Sequence, residues 1–316
     1  MTSPRPISIE TAGLSKAFGD HTVLDGIDLT VAAGTIFALL GPNGAGKTTT
    51  VNILSTLVHA DGGTARVAGH DIDRDGSAVR AAIGVTGQFS AIDGLLTGQE
   101  NLRLMADLHH LGRAEGRRQA DALLQRFDLQ DVAGKPAMTY SGGMKRKLDL
   151  AMTLMGAPEV IFLDEPTSGL DPRSRRGLWD IVRGLVADGV TIMLTTQYLD
   201  EADQLADRIA VLDNGRIVAE GTPAELKRRV PGGTIVLHLN DAAGLDAAAR
   251  VFPDGTGDND ALTLSLSAGG DIPAIRSVLD RLERSAVTAS HLEVTSPGLD
   301  DVFLALTGPD ARKVAL

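Results

Sequence analysis

The chain has 316 residues, of which 43% are apolar and 22% charged; this is the composition of a folded protein and not of a disordered one. It has no cysteine, which excludes a disulfide scaffold, a thiolate metal site and a cysteine nucleophile. Thirty basic and 41 acidic residues give a net charge of −11, which argues against a general nucleic-acid binder.

Short apolar runs alternate with helical patterns from residue 7 to about residue 230, and this alternation predicts an α/β fold with a largely parallel sheet. Continuous apolar runs are typical of strands buried on both faces, and they occupy 36–40, 160–163, 191–194 and 209–212. No apolar run reaches 18 residues and the first residues carry no leader pattern. We therefore expect neither a membrane-spanning helix nor a signal peptide.

A phosphate-binding loop is predicted directly after the first buried run. Residues 41–48, G-P-N-G-A-G-K-T, match G-x-x-x-x-G-K-[ST] at every fixed position, between a strand and a predicted helix. Glycines let backbone N–H groups approach an anion, the lysine reaches the β- and γ-phosphates, and the Thr48 hydroxyl can ligate Mg²⁺. This context disfavours the alternative, a tight turn with an exposed lysine. The predicted phosphate-binding residues are Gly41, Pro42, Asn43, Gly44, Ala45, Gly46, Lys47, Thr48 and Thr49.

A helical insertion is predicted between about residues 88 and 158, with helices at 100–111, 114–127 and 143–155 and no convincing strand. The basic residues Lys145, Arg146 and Lys147 are predicted to form a solvated helix face.

Two carboxylates, Asp164 and Glu165, end the apolar run at 160–163. The carboxyl ends of strands line the ligand crevice of an α/β sheet. Asp164 can hold Mg²⁺ through its water shell and Glu165 can polarise an attacking water. A helix cap is the more common use of such a pair, but the neighbouring phosphate loop favours the catalytic interpretation.

A small α+β domain is predicted after the Pro-Gly-Gly sequence at 231–233, which divides the chain into a nucleotide-binding domain at 1–230 and an accessory domain at 231–316. Strands are predicted at 234–239, 262–266 and 291–294, and helices at 272–284 and 299–306.

The sequence Y-S-G-G-M-K at 140–145 resembles the L-S-G-G-Q signature of the ATPases of ABC transporters. The resemblance covers about 7–230 and implies a P-loop NTPase core of the ABC-ATPase type that binds ATP and Mg²⁺. By the same resemblance, Phe18 stacks on adenine, Gln88 contacts Mg²⁺ or water, and S-G-L-D at 168–171 is the D-loop, which ends in Asp171. It also implies a head-to-tail dimer of two copies, in which Ser141, Gly142 and Gly143 of one copy meet the γ-phosphate held by Lys47 of the other.

Three positions depart from the family pattern, and they point to one branch of it. Tyr140 replaces leucine, Met144 replaces glutamine, and Gln197 stands where the family has a histidine in T-T-H-x-x-x-E-A. Together with L-D-D-V-F-L-A-L-T-G at 299–308, they resemble the daunorubicin-resistance branch of bacterial exporters. That branch implies ATP hydrolysis at the cytoplasmic face of the cell membrane, a separate polytopic permease, and an antibiotic, hydrophobic drug or lipid-like natural product as cargo.

The chemistry at position 197 differs from that of a histidine, because the neutral Gln197 amide can donate to a phosphate but cannot carry a proton. We expect hydrolysis to survive, since Glu165 and Mg²⁺ carry most of the chemistry. Two other classes of protein stay open: a soluble ABC ATPase acting on DNA or ribosomes, and a drug-binding self-protection module without a pump. The chain has neither tandem cassettes nor a long coiled-coil insertion, and its acidic charge disfavours nucleic acid.

Overall fold

The computed structural model describes residues 5–87, 91–229, 233–267, 272–285, 287–295 and 298–307. The chain divides into two units, Met1–Thr222 and Pro223–Leu316. The domain boundary that we expect after residue 230 stays a prediction. No described helix is both long and apolar enough to cross a lipid bilayer.

The first unit is built on two sheets. Its described strands are β1 (Ile7–Phe18), β2 (His21–Ala32), β3 (Ile36–Leu40), β4 (Gly62–Val67), β5 (His70–Asp71), β6 (Ile83–Thr86), β7 (Val160–Asp164), β8 (Thr191–Thr196), β9 (Arg208–Asp213) and β10 (Arg216–Gly221). Its described α-helices are α1 (Lys47–Leu54), α2 (Gly76–Ala82), α3 (Gly98–Leu108), α4 (Arg113–Arg126), α5 (Gly142–Thr153), α6 (Pro172–Ala187) and α7 (Leu199–Leu205).

The larger sheet has the strand order β10-β9-β3-β8-β7-β6. Its strands pair in parallel, except that β10 runs antiparallel to β9. Strands β3, β7 and β8 are buried along their whole length, as their continuous apolar runs predict. The α/β expectation is thus confirmed. Because these three strands are neighbours, their carboxyl ends meet at one edge of the sheet, where ligands bind in folds of this class.

An antiparallel sheet, β2-β1-β4-β5, forms the second layer of the same unit and was not predicted. Its buried side chains join those of the parallel sheet in one core, which includes Leu24, Leu29, Phe37, Phe162 and Met193. The hairpin of β1 and β2 brings Phe18 opposite His21 at its turn. This pairing matters for the site, because it holds Phe18 at the end of a strand.

Helices α3, α4 and α5 and three short 3-10 turns (Gln130–Val132, Ala137–Thr139 and Leu154–Gly156) lie between β6 and β7. Helix α3 begins at a capping box, in which the Thr97 hydroxyl accepts from the Glu100 N–H while the Glu100 carboxylate accepts from the Thr97 N–H. Helix α5 is capped by Ser141, whose hydroxyl accepts from the Met144 N–H at 3.3 Å. The cap fixes the first turn of α5, which carries Gly142 and Gly143.

The second unit contains α8 (Pro223–Arg229), β11 (Thr234–Leu239), α9 (Ala242–Val251), β12 (Thr256–Asp258), β13 (Thr263–Ser267), α10 (Ile272–Ser285), β14 (Ala289–Thr295) and α11 (Leu299–Thr307). Its antiparallel sheet has the order β12-β13-β11-β14, the β-α-β-β-α-β arrangement of ferredoxin-like domains. Alternating residues of β11 pack with helices α9 and α10 in a separate core that includes Ile235, Leu237, Leu245 and Leu282. Helix α9 and strand β12 were missed, because α9 has only two large apolar residues, Leu245 and Val251, and β12 is three exposed residues.

Candidate functional site

The loop between β3 and α1 has the backbone that a phosphate cradle needs. Gly44 and Gly46 adopt positive φ angles of 82° and 110°, a region that side chains disfavour. A Cβ on Gly46 would lie 2.6 Å from the Leu24 Cδ2 atom, and one on Gly41 would lie 2.2 Å from the Leu212 carbonyl oxygen. Helix α1 begins without a capping side chain, so its first N–H groups remain available to an anion.

Lys47 is buried within this loop. Its Nζ atom donates to the carbonyl oxygens of Gly41 at 2.8 Å and Pro42 at 3.0 Å, and lies 3.7 Å from Glu165 Oε1. Burial lowers the pKa of Lys47, while the charges of Glu165 and Asp164 oppose that shift. The ammonium group is therefore fixed between the loop backbone and the carboxylate of Glu165, which directly follows β7.

Asp164, at the end of β7, accepts hydrogen bonds from two hydroxyl groups. Thr48 Oγ1 donates to Asp164 Oδ2 at 2.9 Å, and Thr195 Oγ1 donates to Asp164 Oδ1. The side chain of Asp164 is buried, and its partner hydroxyl on Thr48 lines the cleft beside the loop. A carboxylate and a hydroxyl in contact form an oxygen donor set of the kind that Mg²⁺ prefers, so the residues fit this ion.

Glu165 has a left-handed backbone, with φ of 47°, which is uncommon for a residue with a Cβ. Its N–H donates to the carbonyl oxygen and to the hydroxyl of Thr195, each at 3.1 Å. This conformation places the Glu165 side chain in the wall of the same cleft as Lys47 and Thr48. The sequence carries no signal for it.

The cleft has a volume of about 500 Å³. Phe18 forms part of its wall, with 53% of its surface exposed, and Lys16 Nζ lies 5.2 Å from the centre of its ring. Lys16 is held there by Asp61, at 2.7 Å. The described lining residues are Phe18, His21, Val23, Asn43, Gly44, Gly46, Lys47, Thr48, Thr49 and Glu165. His21 and Val23 were missed, because they reach the cleft through antiparallel pairing of β1 and β2 that local patterns do not reveal.

Two further predicted residues are not among the described residues of the cleft. Gln88 lies outside the described residues. Gln197 directly follows β8, whose last residue, Thr196, accepts from the Gly41 N–H at 3.2 Å. Gln197 is not among the described residues that line the cleft. Its place in the chain is therefore directly after the residue that contacts the phosphate loop.

The signature turn packs against the start of α6. A Cβ on Gly143 would lie 2.7 Å from Ser174 Oγ. Asp171 caps α6 by accepting from the N–H groups of Arg173 and Ser174, each at 3.0 Å. Ser141 and Gly142 are exposed, and the signature residues do not appear among the described cleft residues.

The prediction of a solvated basic face is wrong for Arg146. Its guanidinium is mostly buried and donates to the carbonyl oxygens of Gly87, Asp164 and Pro166 at 2.9–3.0 Å. Burial lowers the pKa of Arg146, opposed by the charges of Asp149, Asp164 and Glu201. A run of three basic residues does not tell which of them turns inward, so the sequence could not identify this one.

Glu201 was also missed. It is fully buried, and the Trp179 indole N–H donates to its Oε1 atom at 3.2 Å. Its Oε2 atom has no hydrogen-bond partner among the described residues. Burial raises the pKa of Glu201. Glu201 lies in the T-T-Q-Y-L-D-E-A sequence, which could have drawn attention to it, but that pattern alone indicates neither its burial nor a function.

Comparisons with known proteins agree on one family. A family model described as ABC transporter matches residues 24–168. The daunorubicin resistance ATP-binding protein DrrA3 of Streptomyces coeruleorubidus is 50% identical, over 96% of this chain and 97% of that protein. The daunorubicin/doxorubicin resistance ATP-binding protein DrrA of Streptomyces peucetius is 47% identical, over 96% and 93%. A solved structure of an ATP-binding subunit of an ABC transporter is 30% identical with a TM-score of 0.63, covering 70% of this chain and 92% of that one.

Proposed function

Because the chain belongs to the ATP-binding, ATP-hydrolysing subunits of ABC transporters, in the branch of the daunorubicin-resistance proteins, we propose that it powers an exporter. It does so through a separate polytopic membrane permease. The cargo is an antibiotic, a hydrophobic drug or a lipid-like natural product. The near full-length match to two relatives named for drug resistance supports this cargo class. In this proposal the chain works at the cytoplasmic face of the membrane, held there by the permease.

The observation that carries the catalytic assignment is the approach of Lys47 Nζ to within 3.7 Å of Glu165 Oε1 in the wall of the cleft. Lys47 balances the negative charge of the β- and γ-phosphates. Glu165 takes a proton from water as the water oxygen bonds to the γ-phosphorus. The bond to the bridging oxygen of ADP then breaks, giving ADP and inorganic phosphate.

Thr48 and Asp164 would hold Mg²⁺, which when bound neutralises charge on the β- and γ-phosphates. Their contact at 2.9 Å supports this assignment. We propose Gln88 as a third contact to the metal or its water. The N–H groups of residues 41–49 would bind the phosphate oxygens.

Phe18 would stack on adenine. Its exposure at the mouth of the phosphate cleft supports this assignment, because an aromatic face needs open surface to receive a base. Lys16 lies over the ring of Phe18. The base is therefore expected on the face that Lys16 leaves open.

A second copy of the chain would complete the site. The exposed Ser141 and Gly142 lie at the N-terminus of α5, apart from the described residues of the cleft. A helix N-terminus and a serine hydroxyl favour an anion. We assign Ser141, Gly142 and Gly143 to the γ-phosphate held by Lys47 of the other copy, with Asp171 and Gln197 at the same junction.

The test uses Glu165→Gln, tagged in the native host and extracted from membranes in mild detergent. We expect the variant to bind ATP, to dimerise and to hydrolyse ATP at a small fraction of the wild-type rate. We also expect it to co-purify with a polytopic membrane protein at near-equal stoichiometry. The matched control is Glu159→Gln, at the opposite end of β7, where the side chain is exposed.

Three results would contradict the proposal in different ways. Wild-type turnover of Glu165→Gln would remove Glu165 as the base. Co-purification of ribosomes, DNA or no membrane protein would remove the transporter, and drug binding to the isolated chain would favour a self-protection module.

A further inference from the structure

Arg146 ties three segments of the first unit together through one side chain. Its Nη1 atom donates to the carbonyl oxygen of Gly87, the residue directly after β6, at 3.0 Å. Its Nη2 atom donates to the Asp164 carbonyl oxygen at 3.0 Å, and its Nε atom donates to that of Pro166 at 2.9 Å. The carbonyls of Asp164 and Pro166 lie on either side of Glu165, so one planar cation spans the turn that carries it.

The turn needs such support. Glu165 has φ of 47°, a conformation that persists in a residue with a Cβ only where its surroundings hold it. Thr195 accepts from the N–H of Glu165 through its carbonyl oxygen and its hydroxyl, each at 3.1 Å. Arg146 donates to the carbonyl oxygens of the residues directly before and after Glu165. The carboxylate that faces Lys47 is therefore oriented by a clamp of two residues.

The rigidity of this contact follows from its chemistry. The side chain of Arg146 is 14% exposed, and Asp149, one turn further along α5, lies 3.5 Å from it. Hydrogen bonds from a charged donor are stronger than neutral ones, and the planar guanidinium fixes the direction of each. A lysine could reach fewer of these carbonyls, since its ammonium is a single point of donation.

We propose that Arg146 is a positioning residue for ATP hydrolysis: it holds the turn of residues 164–166 so that Glu165 stays aimed at the attacking water. The proposal rests on the proposed role of Glu165 as the base. It has a second consequence. Ser141 caps α5, and Gly143 and Arg146 lie in the first turns of the same helix. That helix therefore connects the nucleotide of the partner copy to the base of its own chain.

The first experiment compares the wild-type chain with Arg146→Gln, Arg146→Lys and the control Lys147→Gln. Lys147 lies on the same helix, and its partner is the exposed Asp128, at 3.4 Å. We expect Arg146→Gln to lower kcat by roughly 10–100-fold, the effect of a misplaced catalytic group. The Kd for a fluorescent ATP analogue should change less than about twofold. The kcat of Arg146→Lys should fall between those of Arg146→Gln and the wild type, and the kcat of Lys147→Gln should match that of the wild type. A folded Arg146→Gln with wild-type kcat would overturn the proposal.

The second experiment separates positioning from a general structural effect. Arg146→Gln is introduced into the Glu165→Gln background, and residual turnover is measured. If Arg146 acts through Glu165, the second substitution should lower the residual rate by less than about twofold, because the group that it positions is already gone. If the fold-losses in turnover of the two single variants multiply in full in the double variant, the proposal is overturned. If Arg146→Gln does not fold, the same cycle is run with Arg146→Lys.

The two proposals fail separately. If Glu165→Gln keeps wild-type turnover, the base assignment fails whatever Arg146 does. If Glu165→Gln is inactive and Arg146→Gln is not impaired, the base assignment stands and the positioning role of Arg146 fails.

Discussion

Thr48 and Asp164 are directly hydrogen-bonded, although 115 residues separate them in the chain. The Thr48 hydroxyl donates to the Asp164 carboxylate at 2.9 Å. The hydroxyl lies in the first turn of α1 and the carboxylate at the end of β7. Their contact brings two oxygen donors together beside the phosphate loop. It also makes the proposed Mg²⁺ contact sensitive to the removal of one hydroxyl.

We expect Thr48→Ala to raise the Mg²⁺ concentration for half-maximal ATP hydrolysis by roughly tenfold or more, because a ligand and its hydrogen bond to Asp164 are both lost. Thr48→Ser keeps the hydroxyl and is the matched control, with a Mg²⁺ dependence close to that of the wild type. The measurement is ATPase activity against free Mg²⁺. An unchanged Mg²⁺ dependence in Thr48→Ala would contradict the assignment.

We expect Gly46→Ala to destabilise the fold by about 2–4 kcal/mol, since the added methyl group combines a left-handed backbone with overpacking. Its Cβ would lie 2.6 Å from Leu24 Cδ2 and 2.9 Å from the Val23 carbonyl oxygen. Gly44→Ala meets nothing within 4 Å, although its φ is also positive, so its cost should be smaller. Chemical denaturation of both variants measures the difference, and equal losses would show that packing at Gly46 is unimportant.

At position 197, we expect Gln197→Ala to slow hydrolysis by the equivalent of about 1–3 kcal/mol, the value of one hydrogen bond in the transition state. Gln197→His restores a donor and should recover part or all of the rate. Single-turnover ATP hydrolysis of the three chains is the measurement. Equal turnover in all three would remove residue 197 from the mechanism.

Burial of Glu201 leads to a prediction about pH. A carboxyl group whose pKa is raised by folding favours the protonated form in the folded state. Its contribution to stability is therefore complete below the ordinary pKa of glutamic acid and is lost as the pH rises through the raised value. Near neutral pH, Glu201→Gln should raise the free energy of unfolding by about 1 kcal/mol, typical of a buried polar atom without a partner.

The thermal stability of Glu201→Gln and the wild type is compared between about pH 5 and pH 8. The advantage of the variant should shrink as the pH falls. Asp200→Asn is the control, since Asp200 is exposed in the first turn of the same helix, and it should give no gain. A gain of Glu201→Gln that does not vary with pH would exclude ionisation as its cause.

The phosphate loop could be predicted from the sequence because its requirements are local: Gly41, Gly46 and Lys47 lie within seven consecutive residues. Buried strands could be predicted for the same reason. His21 could not, because it reaches the cleft through the antiparallel pairing of β1 with β2.

Arg146 illustrates the same limit inside a helix. Its neighbours Lys145 and Lys147 have the same charge, and only the packing of α5 against the turn after β7 decides which of the three donates to the backbone around Glu165. The signature turn was recognised as a motif, while its proposed partner lies on another copy of the chain and so outside any pattern in one sequence.

The backbone of Glu165 sets its proposed function against stability. Glycine adopts a left-handed conformation without the steric penalty of a Cβ, so a chain selected only to resist unfolding would favour glycine at this position. Glutamate persists there at an energetic disadvantage that Thr195 and Arg146 offset. With Glu165 as the proposed base, evolution of this cassette toward greater heat resistance is constrained at residue 165, because a substitution that relaxes the turn would also remove turnover.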